Sequence, residues 1–392
     1  MDSSSELDQR EAGRYIACLT ACCQVVSSEE KVTKNLQGLE LERLVAVAQQ
    51  HAVFPLLYQN LQKYERSLTL PELFKQKLQQ LYLGIVQYNM LLSSELHRIV
   101  ARCQASGLTL VSFKGPVLAS LAYGGISLRQ YGDIDLLIDP KELQSVTRIL
   151  SSEGYQAELE MDEEELEHYS HSTNVLGFYH ATYGIRVEIH WQLTGRNYVV
   201  DWSAVDPLGS RETVTLQEGN GLSTLSREIH FVYLCVHGAK HLFERLLWVA
   251  DIDRMARGFK DNRWQEVWKT AKILGVERMV CFALLLTNKL LHTPYPQWVM
   301  ERIVSGEIEA SVEKVIRYRF AKEIELSGFA QFRLLLSLYG IRKKAAFIYH
   351  AWFSVNNVDI NYYKLPKSLG FLYLLLRPVR LVNKHLLRRG NP

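Results

Sequence analysis

Cysteine is scarce. The 392-residue chain has 6, and Cys18, Cys22, Cys23, Cys103, Cys235 and Cys281 form neither a CxxC pair nor a zinc-ligand spacing. This usage fits small apolar packing in a reducing compartment. Long apolar runs are also missing: none reaches the roughly 18 residues that a membrane span needs. The first residues, MDSSSELDQREAGRY, lack a basic segment followed by an apolar one, so no secretory signal is read there. An excess of charge is missing too. Against 42 Asp+Glu stand 45 Lys+Arg, a net +3, which argues against nucleic acid as a partner and against a template-directed polymerase. There is no internal repeat and no low-complexity tract. The expectation is a cytoplasmic globular protein with room for two or three domains.

Helical spacing dominates the first part, residues 1–106. Leu41, Leu44, Val45 and Ala48 recur on one face, as do Leu78, Leu81, Ile85 and Tyr88. Pro55 and Pro71 fall where helices start, and a helix over Gln87–Ser106 is ended by Gly107. Residues 107–216 change character. Strands are predicted at Leu108–Phe113, Asp133–Ile138, Asn174–His180 and Ile185–Trp191, the last two joined by a turn at Tyr183-Gly184. Helices are predicted at Pro116–Tyr123 and Pro140–Ser152. Residues 217–355 read as helical again, and 356–392 as a loop and a basic amphipathic tail. The fold class expected is α+β, a small mixed-sheet core flanked by helical regions on both sides.

The chemistry concentrates in the core. Alternate strand residues share a face, so Asp133 and Asp135 project together while Ile134 and Leu136 point the other way. Paired carboxylates repel unless a cation lies between them, and hard oxygen donors suit Mg2+ or Mn2+. Glu188 is the candidate third ligand. In IRVEIHW, Ile185, Val187, Ile189 and Trp191 form one apolar face, and Arg186, Glu188 and His190 the other. Two metals held this way can clamp both oxygens of a phosphoryl displacement. Lys114 and Gly115 lead into a helix N-terminus, where phosphate is favoured. Arg129 can neutralise phosphate or brace the carboxylates.

Other features admit a structural reading beside a functional one. His237 and His241, four apart with Lys240 beside them, serve either as phosphate or acceptor contacts or as a packed pair. His190 is a further candidate for such contacts. Asp251 and Asp253 lie on a helix, where i and i+2 do not share a face, so this second DID is set aside as a decoy. The acidic run Asp162–Glu165 reads as a helix start or solvated face. The tail, with Arg377, Arg380, Lys384, Arg388 and Arg389, is expected to dock on the protein with its basic residues exposed, ahead of contact with an anionic membrane.

The segment FKGPVLASLAYGGISLRQYGDIDLLI resembles the core motif of the nucleotidyltransferase superfamily that includes DNA polymerase β. More narrowly, the chain is similar to the bacterial family NTP_transf_5 in four ordered blocks. These are VAVAQQHAVFPLLYQNL, the KG and R…DIDLL core, VEIHWQLTG, and HGAKHLFERLLWVADI. Lys114-Gly115-Pro116 departs from the superfamily's usual glycine-serine motif but matches the narrower family. The resemblance implies metal ligands at Asp133, Asp135 and Glu188, and nucleotide-side positions at Lys114, Gly115 and Arg129. It also implies a nucleoside triphosphate as substrate, with ATP preferred. The expected reaction moves a nucleoside monophosphate to an acceptor hydroxyl or phosphate on a small molecule, peptide or protein. Kinase-like phosphoryl transfer at the same site is the alternative. A silent nucleotide-binding or interaction module is the third reading.

Overall fold

The computed structural model describes residues 3–216, 221–353, 362–363, 365, 369 and 372–382. Four helices open the chain: α1 (Ser3–Cys23), α2 (Glu29–Leu36), α3 (Leu41–Gln50) and α4 (Phe54–Lys63). Pro55 sits in the first turn of α4. Pro71 is the N-cap of α5 (Glu72–Ala105). Helix α5 runs 34 residues: the helical face read at Leu78–Tyr88 and the helix expected over Gln87–Ser106 are one continuous helix starting after Pro71. Gly107, at φ +76°, leaves it in the left-handed region.

Then follow β1 (Val111–Ser112), α6 (Gly115–Tyr123), β2 (Asp133–Leu137), α7 (Leu143–Ser152), β3 (Gln156–Ala157), α8 (Glu163–Ser172), β4 (Val175–His180) and β5 (Ile185–His190). The sheet has five strands in the order β1-β2-β5-β4-β3. Strand β2 runs parallel to β5, and every other pairing is antiparallel. The expected strand over Leu108–Phe113 shrinks to Val111–Ser112, since only these residues pair with Leu137 and Leu136 at the sheet edge. The acidic run is a helix start: Asp162 and Glu165 form a capping box for α8. A short hairpin, β6 (Glu212–Val214) with β7 (Leu222–Thr224), was not expected. Its three-residue strands are too short for period-2 alternation to register.

Helices α9 (Arg227–Lys240), α10 (Leu246–Arg257), α11 (Asp261–Leu274), α12 (Glu277–Leu291), α13 (Gln297–Ile303), α14 (Gly306–Val315), α15 (Gly328–Ser337) and α16 (Ile341–Phe353) complete the C-terminal half, with a last helix at Tyr373–Val382. One core lies between the sheet and helices α5 and α7, where Leu96, Ile99, Ile134, Leu136, Val146, Val187 and Ile189 are buried. The other joins both ends of the chain: Tyr15, Phe54 and Leu57 share a cluster with Phe231, Leu246 and Phe282. Gln24 donates to the Leu290 carbonyl at 3.1 Å, and the Leu246 amide donates to His51 Nδ1 at 3.2 Å. The helical regions that flank the sheet in sequence therefore merge in space.

In the last helix, Arg377 and Arg380 are buried, whereas Leu374, Leu375 and Val379 are exposed. Arg377 donates to the Ala351 carbonyl at 3.1 Å. This corrects the expectation of exposed basic residues for these two arginines: both are buried, and Arg377 is anchored on α16. Lys384, Arg388 and Arg389 lie outside the described residues. Among the described residues no helix is long and apolar enough to cross a membrane.

Candidate active site

The site is laid out by strand register. Parallel pairing puts Asp133 beside Arg186, Asp135 beside Glu188 and Leu137 beside His190. Side chains two apart share a face, so Asp133, Asp135, Glu188 and His190 stand on one surface of the sheet. The opposite face carries Ile134, Leu136, Val187 and Ile189, all fully buried. Burying that face stabilises the sheet by roughly 1.5–3 kcal/mol per large side chain. It also fixes the register, because a slip of one residue would turn the carboxylates into the core.

Loop 124–132 is held from behind by α5. Asn89 Nδ2 donates to the carbonyls of Ile126 and Arg129 at 2.6 and 2.9 Å. Tyr131 donates to the Asn89 carbonyl at 3.3 Å. On the other side, Gly115 takes φ +50°, and a Cβ there would lie 3.2 Å from the Asp133 carbonyl oxygen. Glycine lets α6 start directly against the strand that carries the carboxylates.

The carboxylates differ in environment. Asp135 is 1% exposed. Its Oδ1 accepts from Lys114 Nζ at 2.7 Å and lies 3.0 Å from His190 Nε2. Burial by itself would push its carboxyl up, but Lys114 and the His190 hydrogen bond outweigh it and hold the group well below the usual carboxylate range. Its Oδ2 is buried with no hydrogen-bond partner among the described residues. Asp133 is pushed the other way, to about 6, by Asp135 first and then by burial, with Glu188 adding to it. Glu188 stays low, chiefly through a hydrogen bond from His190, against burial and Asp135. His190 Nε2 lies 3.3 Å from Glu188 Oε2, and Arg186 lies 3.2 Å from Glu188 Oε1. Ligand atoms of Asp135, Glu188 and His190 all fall within 4.8 Å of one another, a grouping that can hold a metal ion. Asp133 is not part of that tight group.

Helix α9 closes over the site. Phe113 packs edge-on against both His190 and Tyr233, with centroids 5.2 and 5.1 Å apart. Burial drives the Tyr233 phenol up, and Lys114, Asp135 and Glu188 all act on it. Tyr233 was missed in the sequence, although it stands one turn before His237 on the same helix face. His237, His241 and Trp248 form an aromatic cluster with centroids 5.1 to 5.2 Å apart. Burial pulls His237 well down and His241 down to about 4, so both rings are neutral at pH 7. Lys240 lies 5.2 Å from the centre of the Tyr198 ring. Burial and Lys114 lower it to about 8, while Asp135 and Glu188 oppose the shift. The histidine pair is thus packed, and Lys240 is a cation within the field of the carboxylates.

Arg129 is close enough for its charge to lower the Asp133 carboxyl, but its side-chain hydrogen bonds go to α10. Its Nε and Nη2 donate to Asp251 Oδ1 and Oδ2, each at 2.9 Å, and both residues are buried. Tyr123 also donates to Asp251 at 2.8 Å. Asp253 accepts from Arg257 at 2.9 Å and from Thr293 at 2.6 Å. The two aspartates of the helical DID therefore serve separate structural contacts. Asp251 clamps the loop before Asp133 to α10, across 122 residues of sequence. An Arg129→Met change is expected to leave the buried Asp251 without its counter-ion, with only Tyr123 still donating to it, and to cost about 3–5 kcal/mol. Denaturant unfolding measures this, and a loss under 1 kcal/mol would rule out the clamp.

A cavity of about 970 Å³ opens along α5, lined by Met90, Ser93, His97, Arg98, Ser120 and Leu222 among others, and contains none of the carboxylate group. No curated protein matches the chain. Residues 37–292 match the model of NTP_transf_5, described as an uncharacterised nucleotidyltransferase family, and the chain belongs to that family.

Proposed function

We propose that the protein is a divalent-metal-dependent nucleotidyltransferase that moves a nucleoside monophosphate from a nucleoside triphosphate, ATP by preference, to an acceptor hydroxyl or phosphate. One observation carries the reading: Asp135 and Glu188 are register partners on adjacent parallel strands, with Asp133 on the same face. The residues fit a cation. The buried Oδ2 of Asp135 has no partner among the described residues, and the raised proton affinity of Asp133 marks uncompensated negative charge. When bound, Mg2+ or Mn2+ supplies charge neutralisation at the reacting phosphate.

Asp133, Asp135 and Glu188 would hold the cation. The lowered proton affinity of Glu188 suits this role better than that of a proton acceptor. Lys114, next to Asp135 at the start of α6, would offer its ammonium to a phosphate oxygen. Lys240 would contact phosphate or the acceptor from α9, with His237 and His241 supporting it. The family's core position Arg129 is assigned to hold the loop rather than to touch nucleotide.

ATP labelled separately at the α and γ positions tests the proposal, with Mg2+ or Mn2+ and fractionated small-molecule and protein acceptors. The α label is expected on the acceptor and the γ label in pyrophosphate. Transfer of the γ label to the acceptor would replace this reading with phosphoryl transfer. Stripping the protein with a chelator is expected to stop turnover, and added Mg2+ or Mn2+ to restore it. Full turnover in excess chelator would refute the metal requirement.

A further inference from the structure

We infer that His190 is itself a metal ligand through Nε2, so that the site is a mixed carboxylate–imidazole site selective for Mn2+ over Mg2+. The inference rests on the metal-dependent reading above and adds a donor and a preference to it.

Three observations carry it. First, the tightest set of donor atoms is Asp135, Glu188 and His190, all within 4.8 Å of one another, and not the three carboxylates. Second, the spacing fits an octahedral shell. Bonds of about 2.0–2.1 Å put neighbouring donors about 3 Å apart, and His190 Nε2 lies 3.0 Å from Asp135 Oδ1 and 3.3 Å from Glu188 Oε2. Third, the ring is held in place with Nε2 turned to the carboxylates and, among the described residues, nothing bonded to Nδ1. Phe113 packs against it at 5.2 Å and 76°, while Nδ1 is buried without a partner among the described residues. Without metal, Nε2–H donates to the carboxylates; a cation between them would displace that proton to Nδ1, and the Nε2 lone pair would then face the gap between the carboxylates.

The chemical consequence follows from donor type. Mg2+ takes oxygen almost exclusively, whereas imidazole suits transition metals, and Mn2+ accepts both oxygen and nitrogen. An all-carboxylate site would not separate the two ions in this way.

The test uses Mn2+ alone on the full chain stripped of metal. Electron paramagnetic resonance counts the bound ion. Pulsed measurement of electron spin echo modulation detects a directly bonded imidazole nitrogen, and Mg2+ is then titrated in competition. The wild type is expected to show nitrogen modulation and to prefer Mn2+ by about 10-fold or more. His190→Gln should lose the modulation and weaken Mn2+ by about 10–100-fold, with a much smaller change for Mg2+. His190→Asp, which keeps a donor but makes it oxygen, should bind Mn2+ without modulation and shift the preference towards Mg2+. Circular dichroism confirms that each variant is folded. Bound Mn2+ without nitrogen modulation in the wild type would overturn the imidazole ligand and leave the carboxylate site standing. Absence of bound Mn2+ in the folded wild type would overturn both.

Discussion

Asp135→Asn is expected to abolish turnover and weaken the fold, whereas Asp133→Asn should abolish turnover and strengthen the metal-free fold. Both lose a carboxylate of the proposed metal site. Their stability effects diverge because their neighbours differ. Asp135 is the buried partner of Lys114 at 2.7 Å, and the ammonium, despite burial, is held charged by Asp135. Removing the carboxylate strands that charge, at a cost of about 3–5 kcal/mol. Asp135 first, then burial and Glu188, lift Asp133 from 3.8 to about 6. Asparagine there removes the repulsion, a gain of about 1–2 kcal/mol after screening at a partly exposed position.

The pH dependence separates the two effects. A raised carboxyl binds its proton more tightly in the folded state, so the penalty at Asp133 is absent below about pH 4 and complete above about pH 6. The advantage of Asp133→Asn should therefore grow from pH 4 to pH 7.5. Asp135 is lowered, so its contribution is present throughout that range and lost only in stronger acid. The deficit of Asp135→Asn should be the same at pH 5 and pH 7.5. Thermal unfolding of metal-free protein at several pH values measures both. Equal shifts of the same sign would contradict the assigned roles of Lys114 and Asp133. The double change Lys114→Met with Asp135→Asn should recover much of the stability and none of the turnover.

Glu188→Gln should lower turnover on the order of 10²–10³, the size of effect that follows loss of one preorganised charge at a reacting phosphate. Size and most hydrogen bonding are kept, so stability should change by about 1 kcal/mol or less. Glu188 is half-buried and paired with the exposed Arg186 and with His190 rather than with a buried cation, which is why its loss is milder for the fold than that of Asp135. Steady-state kinetics at saturating metal, with unfolding measured alongside, decides it. Turnover within about threefold of wild type would remove Glu188 from the proposed metal site.

Much of this site was legible because it depends on short-range order. Alternation over Ile185–Trp191 is a property of consecutive residues, and it placed Glu188 and His190 opposite Val187 and Ile189 before any neighbour was known. The same holds for Asp133 with Asp135, for Gly124 at φ +73° ending α6, and for Gly107 ending α5. Family membership was legible for a related reason, since it resides in ordered blocks of sequence.

By itself, then, the sequence determined which residues share a face, where α6 begins and ends, and that the core is a small sheet among helices. Tertiary structure alone decided who faces whom. Parallel pairing of β2 with β5 set Asp135, rather than Asp133, beside Glu188 and His190. Packing of α10 against α6 turned Arg129 to Asp251, 122 residues away, and gave a helical DID a structural task. Closure of α9 brought Tyr233 and Lys240 to the carboxylates. The physical reason is common to all three. Backbone geometry sets the direction of a side chain within a few residues, but the charge or ring it meets is chosen by burial of distant apolar faces, which no local pattern encodes.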